Sequence, residues 1–348
     1  MNRKLIILTH SDRFFGQTRR PWVSMDVQKI ITVFKNEQFD VEAHDIHEIF
    51  NKNIQLHDSI IFYSFSQKEN IRNYIKDTIY FLSANNIVIP SLDLLYCHEN
   101  KGYQELLKKR LGFDSLHAYY LSSYKDLSLY DITYPVVFKT TDGSNADGVF
   151  LIHDRRELDN ILNKFSYRGG ILTAIDLFRR KYLRRKKFDY YPDYNDREDY
   201  YQYKFHITKE KNFILQEYVP ALDHDYRVLV MYNKFYVMKR HVNKGDFRAS
   251  GTKRFDFKFK ADPNLLNYAE QVISKLDSPS LSIDIMSKND RYCLGEFQAL
   301  HFGVSALIKS GGYYMKKADQ WEFIDEHSSV EKELGLAVIK YLKNKKLC

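Results

Sequence analysis

At 348 residues and 44% hydrophobic content, the chain is long and apolar enough to bury two or three packed cores. A formal net charge of +8, with a pI near 9.0, predicts attraction to anions such as nucleotides, acidic glycans, nucleic acid or lipid headgroups, and charge alone does not choose among them. Three cysteines without paired spacing (Cys97, Cys293, Cys348) argue against a zinc site and for reduced thiols, and no apolar run of about 18 residues is present to span a membrane.

Leu5 to Thr9 reads as a first buried strand, and Leu5-Ile-Ile-Leu8 is too brief for a signal-peptide core, so a cytoplasmic protein is expected. Val23, Val27, Ile30, Ile31 and Phe34 follow at helical spacing. Asp58 to Phe65 gives another strand, Ile71, Ile75, Ile79 and Leu82 another helix, and Ile87-Val-Ile89 a further strand. Strand alternating with helix predicts a small, mainly parallel α/β domain over residues 1–95, whose ligands would collect at strand C-termini. The loop Thr9 to Trp22 carries Arg13, Arg19, Arg20 and Trp22, either a substrate contact or a solvated basic loop.

The run Tyr134-Pro-Val-Val-Phe-Lys-Thr-Thr-Asp-Gly-Ser-Asn-Ala-Asp-Gly-Val149 is an apolar strand ending in Lys139, a small polar loop, and a second strand. Glycines and short side chains such as Ser144 let backbone N–H groups approach a polyanion, and the lysine adds a point charge. That is the chemistry of a phosphate cradle, although Asp142-Gly143 alone is also an ordinary hairpin turn. Asp154 to Glu157, ahead of Leu158, Ile161, Leu162 and Phe165, forms a capping box opening an amphipathic helix.

Residues of about 168–211 interrupt the pattern as an insertion. Phe178-Arg-Arg-Lys-Tyr-Leu-Arg-Arg-Lys-Lys187 is densely basic, and Tyr190 to Tyr203 is rich in tyrosine and acid. Residues 179–187 could meet an anionic surface or substrate, or form a solvated face neutralised by the acids that follow; nucleic acid is the least favoured partner.

Phe213-Ile-Leu-Gln-Glu-Tyr-Val219 is an apolar strand broken by Gln216-Glu217, where a strand leaving its sheet exposes backbone groups that can pair with an adenine edge. Asp223 is a candidate ribose contact or a turn residue. Asp225 to Arg240 alternates and turns at Asn233-Lys234 as a hairpin, with Arg227 and Arg240 on its two arms and Arg248 in the glycine-containing run behind it. His224 and His241 flank this region as substrate contacts or buried, satisfied histidines. Asp262-Pro263 starts a helix with Leu265, Ala269, Val272, Ile273 and Leu276 inward. Two strand-like runs then carry Asp284, Glu296 and Gln298, with 296 and 298 on one face, a set of hard oxygen donors suited to Mg²⁺ bridging nucleotide phosphates.

In this order the segments resemble the ATP-grasp superfamily, within it the glutathione-synthetase and RimK-like carboxylate-amine ligases, over about residues 97 to 305. The resemblance implies a two-subdomain fold behind the N-terminal domain, with subdomains over 96–215 and 216–348. It gives Lys101, in Glu99-Asn-Lys-Gly-Tyr-Gln-Glu-Leu-Leu107, the role of a first ATP-binding lysine and Lys139 that of a second, and it makes Gln216, Glu217, Tyr218 and Val219 the adenine hinge. ATP and Mg²⁺ are the implied ligands, a carboxylate and an amine the implied substrates. Arg227, Arg240 and Arg248 would stabilise an acyl phosphate or anchor the carboxylate, and the loop Thr140 to Gly148 would close over ATP. Two departures stand out: Glu296-Phe-Gln298 where the family usually has Glu-x-Asn, and Ser250 where an asparagine often follows Phe-Arg. Two other activities fit the same segments. One is a kinase acting on a hydroxyl, the other a nucleic-acid- or membrane-binding protein with a degraded nucleotide site. His44 and His47 straddle a strand rather than a helical metal pair, and Cys97-His98 lacks the third partner that a nucleophile needs.

Overall fold

A computed structural model describes residues 3–347 except 19, 21, 144–147, 167–168, 184–195 and 250. Ser144, Arg168, Ser250, Arg19 and the basic residues Arg184 to Lys187 therefore lie outside the described residues, as do residues 190–195 of the tyrosine-rich stretch. The remainder falls into two compact units that interleave along the chain. One is drawn from 1–116, 142–147 and 219–348, the other from 117–141 and 148–218.

The first unit begins with strands β1 (Leu5–Thr9), β2 (Val41–Asp45), β3 (Ile60–Tyr63) and β4 (Ile87–Ile89), all parallel in the order β2-β1-β3-β4. Helices α1 (Val27–Asn36), α2 (Ile46–Asn51) and α3 (Glu69–Leu82) alternate with them, the α/β pattern that the strand and helix periods predict. Val23 is not part of α1. It is 38% exposed, because the Asp26 carboxylate caps the helix by accepting from the Gln28 and Lys29 N–H groups and so sets the start at Val27. Helices α4 (Leu92–Cys97) and α5 (Lys101–Arg110) follow.

The second unit contains β5 (Ala118–Leu121), β6 (Val136–Thr140), β7 (Val149–Ile152), α6 (Arg155–Phe165), α7 (Ile171–Tyr182), α8 (Asp196–Ile207) and β8 (Phe213–Glu217). Its sheet is antiparallel in the order β5-β8-β6-β7. Val136, Phe138, Phe213 and Leu215 pack with Leu158 and Leu162 of α6 on one face. Asp154 caps α6 by accepting from Glu157 N, and Glu157 reaches back to His153 N rather than to Asp154 N, one residue off an ideal capping box.

The first unit resumes with β9 (His224–Met231), β10 (Lys234–His241), β11 (Phe255–Asp256), α9 (Pro263–Leu276), β12 (Ser280–Lys288), β13 (Arg291–Gln298), α10 (Ser305–Lys309), β14 (Tyr313–Lys317), β15 (Gln320–Ile324) and α11 (Val330–Lys345). The β9–β10 hairpin turns at Tyr232-Asn233, one residue before the position read from the sequence, because Met231 pairs with Lys234. The sheet order is β13-β12-β9-β10-β14-β15, with β11 beside β10. Helix α9 covers one face through Leu265, Ala269 and Val272 against Val228, Val230, Leu281 and Ile283. On the other face Leu229, Met231, Tyr236 and Met238 share a core with α11, α1 and the first strands. Residues 1–95 therefore share apolar burial with the C-terminal helix.

At that joint Gly335 of α11 meets Val33 of α1. A Cβ at Gly335 would lie 2.9 Å from Val33 Cγ1 and 3.1 Å from Val33 Cβ, closer than a stiff β-branched side chain allows. Alanine is the better helix former by about 1 kcal/mol, yet overpacking typically costs about 1 to 3 kcal/mol. Gly335→Ala is expected to lower stability in denaturant unfolding, and Val33→Ala in the same chain to recover much of the loss.

Candidate functional site

One face of the large sheet changes character along its strands. Toward the β9–β10 turn it is apolar, with Leu229, Met231, Tyr236 and Met238. Toward the other end the same alternation presents Asp225 and Arg227 from β9, Arg240 from β10 and Asp284 from β12. Register makes them neighbours, since Arg240 lies opposite Asp225 and Arg227 opposite Asp284.

Arg227 grips Asp284 with two hydrogen bonds, Nε to Oδ1 at 2.8 Å and Nη2 to Oδ2 at 2.9 Å. Arg240 grips Asp225 in the same fork, with Nε 2.6 Å from Oδ1, and its Nη2 also lies 2.9 Å from Asp284 Oδ2. The result is a chain of alternating charge, Asp225–Arg240–Asp284–Arg227. Arg240 is buried at 3% exposure, while the Arg227 side chain keeps 27% and its Nη1 takes no part in these bonds. Burial alone would raise the Asp284 carboxyl, but Arg227 and Arg240 outweigh it and hold it at about 2. Asp225 moves the other way, upward, as burial outweighs its single arginine and Asp284 stands beside it.

Glu296 and Gln298 join this face from β13. Gln298 pairs with Ser282, two residues from Asp284, and a bulge between Ile283 and Ile285 keeps Leu294 and Phe297 both on the core side. Helix α5 is docked onto this bulge. Lys108 Nζ, 1% exposed, donates to Gly295 O at 2.9 Å and to Glu105 Oε1, and Gln104 Oε1 accepts from Phe297 N at 3.2 Å. Residues 101, 104 and 108 lie on one helical face, so the clamp orients Lys101, whose Nζ donates to Gly143 O at 2.9 Å. Glu99 sits near both Lys101 and Glu296, and burial raises its carboxyl.

Three buried histidines stand close together, with His98 beside both Gln298 and His301 and His10 near His301, and no local pattern links them in the sequence. His98 is 1% exposed, His10 4% and His301 7%. The rings of His98 and His301 are 6.2 Å apart. Among the described residues neither ring nitrogen of His98 or His301 makes a hydrogen bond, nor does Gln298 Oε1, although Gln298 is close enough to His98 to favour its protonated form. Burial holds His98 well below the usual imidazole range and His301 down to about 4, with His10 adding to the second shift.

For a hard divalent cation, the orphaned Gln298 oxygen and the Glu296 carboxylate are suitable donors, and Asp284 retains lone-pair capacity beyond its arginine bonds. Among the described residues no three His, Cys, Asp or Glu side chains are grouped to hold a metal, so any such site here depends on the amide oxygen. Burial pushes the Cys97 thiol up, away from nucleophile chemistry.

The remaining positions are separate from this network. Asp223 is exposed, its carbonyl accepting from Val242 N at the open end of the hairpin, where His224 pairs with His241. Arg248 forks onto Asp246 behind a turn at Gly245. Trp22 is 74% exposed, and His44 and His47 fall on β2 and α2. In the second unit, Lys139, Val137, Ile214 and Gln216 share the sheet face opposite the α6 core. The lysine loop is tied at its base by Thr140 N donating to Gly148 O at 3.0 Å. Gly143 and Gly148 have φ of 105° and 72°, and a Cβ on Gly148 would come within 2.2 Å of Thr140 Oγ1. Gln216 and Glu217 close β8, and Tyr218 and Val219 fall on either side of the division between the units.

No family model matches the sequence, and no curated protein matches it. Solved structures do match. A RimK domain ATP-grasp protein from Sphaerobacter thermophilus has a TM-score of 0.51 at 11% identity, covering 96% of this chain and 99% of its own. The D-alanine–D-alanine ligase from Bacillus anthracis complexed with ATP has a TM-score of 0.50 at 11% identity, covering 99% of each chain. D-cycloserine synthetase DcsG has 0.51 at 10%, covering 97% of this chain and 99% of its own. At these identities the likeness is one of fold.

The buried charges predict two acid transitions. Asp284 has a folded value below the usual 3.8, so its contribution, on the order of 2 kcal/mol, is complete above about pH 4 and is lost as pH falls toward 2. His301 is also depressed, so the unfolded chain takes up its proton first and stability falls from about pH 6.5 to 4, by about 3 kcal/mol. Denaturant unfolding at a series of pH values should show both limbs. His301→Phe should shrink the upper limb, to which the likewise depressed His98 and His10 also contribute, and leave the lower, whereas Asp284→Asn should cost about 3 to 5 kcal/mol at neutral pH by leaving arginine charge uncompensated.

Proposed function

From the ATP-grasp fold that the chain shares with these structures, we propose that it is an ATP-dependent ligase joining a carboxylate to an amine. A substrate carboxylate oxygen attacks the γ-phosphorus of ATP, the bond from that phosphorus to the bridging oxygen breaks, and ADP leaves. The amine nitrogen then attacks the acyl carbon, the carbon–oxygen bond to phosphate breaks, and inorganic phosphate leaves as the nitrogen loses a proton. Such chemistry rests on positioning and charge neutralisation rather than on a protein nucleophile.

The observation that carries this proposal is the fixed guanidinium of Arg227. Asp284 holds two of its nitrogens while Nη1 takes no part in that grip, on the sheet face that Glu296 and Gln298 share. A preset cation next to oxygen donors is what a transferring phosphoryl group requires. In this role Arg227 contacts the acyl phosphate and Arg240 is a positioning residue, while Arg248 is left for the carboxylate. Lys101 in the first unit and Lys139 in the second would each hold phosphate oxygens. Gln216, Glu217, Tyr218 and Val219 would take the adenine, Asp223 the ribose, and the loop bearing Ser144 would cover the nucleotide. Asp284, Glu296 and Gln298 would hold Mg²⁺, which when bound neutralises charge on the phosphates.

Incubation with Mg-ATP and a pooled library of carboxylates and amines should yield ADP and a product heavier than the carboxylate by the amine less one water. A phosphorylated hydroxyl instead would make the protein a kinase. Lys139→Ala should weaken ATP use about 10- to 150-fold, since a charged phosphate contact contributes about 1.5 to 3 kcal/mol. Glu296→Gln should abolish Mg²⁺-dependent ADP release and Gln298→Asn should preserve it; the reverse order would show that the strand register does not set the metal site.

A further inference from the structure

Helix α7 is amphipathic in the wrong direction for a soluble protein. Ile171, Ile175, Phe178 and Tyr182 recur at i, i+4, i+7 and i+11 and so form one stripe. Such a stripe normally faces a core, yet no residue of α7 is buried. Ile171 is 77% exposed, Ile175 57%, Phe178 59% and Tyr182 58%, with Leu172 and Leu183 more exposed still than Phe178. The helix packs instead through its polar side, where the Arg180 guanidinium stacks 3.7 Å from the Tyr203 ring of α8. Arg180 stands half a turn from the stripe, so the apolar side chains point away from that contact.

An uncovered apolar stripe could meet a protein groove, a second copy of the chain or a lipid surface, and charge separates the three. Exposed Arg179 and Lys181 flank the stripe, and Asp176 is the one acid between Ile171 and Lys187 in the sequence. The chain goes on with Arg184-Arg-Lys-Lys187, which lie outside the described residues and enter here only as sequence charge. A second copy would set this positive charge against itself. A protein groove would need an acidic rim matched to a basic run this dense. An anionic lipid surface offers an apolar layer and a continuous negative one at the spacing of a single helix, and a tyrosine such as Tyr182 is favoured at headgroup depth.

We propose that α7 lies in the plane of an anionic lipid surface, with Ile171, Ile175 and Phe178 inserted among the acyl chains and Arg179 and Lys181 over the headgroups. This inference does not depend on the ligase chemistry. It places the protein at a membrane face, and among the described residues no helix is long and apolar enough to cross a membrane.

Sedimentation of the full chain with vesicles tests it. The protein should pellet with vesicles of phosphatidylcholine containing about a third phosphatidylglycerol, stay in solution with phosphatidylcholine alone, and be released by salt. Ile175→Glu with Phe178→Glu should remove binding even at low salt, while Arg179→Gln with Lys181→Gln should weaken it about tenfold. Thermal unfolding should be unchanged in both variants, because the substituted side chains are exposed. Equal binding to the two vesicle types, no binding to either, or binding that survives the glutamates would overturn the proposal. So would a change in oligomeric state caused by the glutamates without vesicle binding, which would assign the stripe to a protein contact.

Discussion

Charge burial on one sheet face is the constraint that organises the first unit. An isolated guanidinium or carboxylate removed from water costs several kcal/mol, and here Asp225, Arg240 and Asp284 are nearly or wholly out of solvent. Three adjacent strands solve the problem by register, setting each arginine opposite one aspartate and letting Arg240 bridge to the second. A slip of one residue in β12 would move Asp284 to the α9 side, into an apolar core, leaving Arg227 without its counter-charge and Arg240 with Asp225 alone. The network therefore selects the register, and the register in turn decides that Glu296 and Gln298 of β13 arrive on the same face.

The rest of the face is built around that decision. The bulge in β13 leaves backbone groups without ladder partners, and α5 supplies them through Gln104 and Lys108. Because the same helix opens with Lys101, the clamp that satisfies the bulge also fixes where that lysine, the proposed phosphate contact, stands. On the proposed chemistry this arrangement has a direct use. A guanidinium already locked by its carboxylate needs no reorganisation when charge develops on a transferring phosphoryl group, and preorganisation of that kind is the largest contribution a protein makes to such reactions.

Much of the fold was legible in the sequence because it rests on local periodicity. Leu5 to Thr9, the Ile71 to Leu82 helix, the Asp262-Pro263 helix start and the Asp225 to Arg240 hairpin all follow from alternation or capping chemistry, and the ATP-grasp resemblance named the fold that the structural likeness shows. Errors of one to a few residues arose where a side chain rather than periodicity sets a boundary, as Asp26 does for α1. What stayed hidden was long-range. Nothing local announces that His98 meets Gln298 and His301, or that Lys108 is buried against β13. The polar Gln104 and Lys108 beside Leu107 on one helix face were a usable signal, since polar residues on a core-facing stripe ask for a buried partner. The outward stripe of α7 was likewise present in the spacing of Ile171, Ile175 and Phe178, but spacing does not say whether a stripe is covered.

The most direct test of the central claim is calorimetric titration of the full chain with a non-hydrolysable ATP analogue, with and without Mg²⁺. The account predicts one nucleotide bound per chain, with affinity that falls steeply when Mg²⁺ is withheld. Absence of binding under both conditions, or affinity indifferent to the metal, would contradict it.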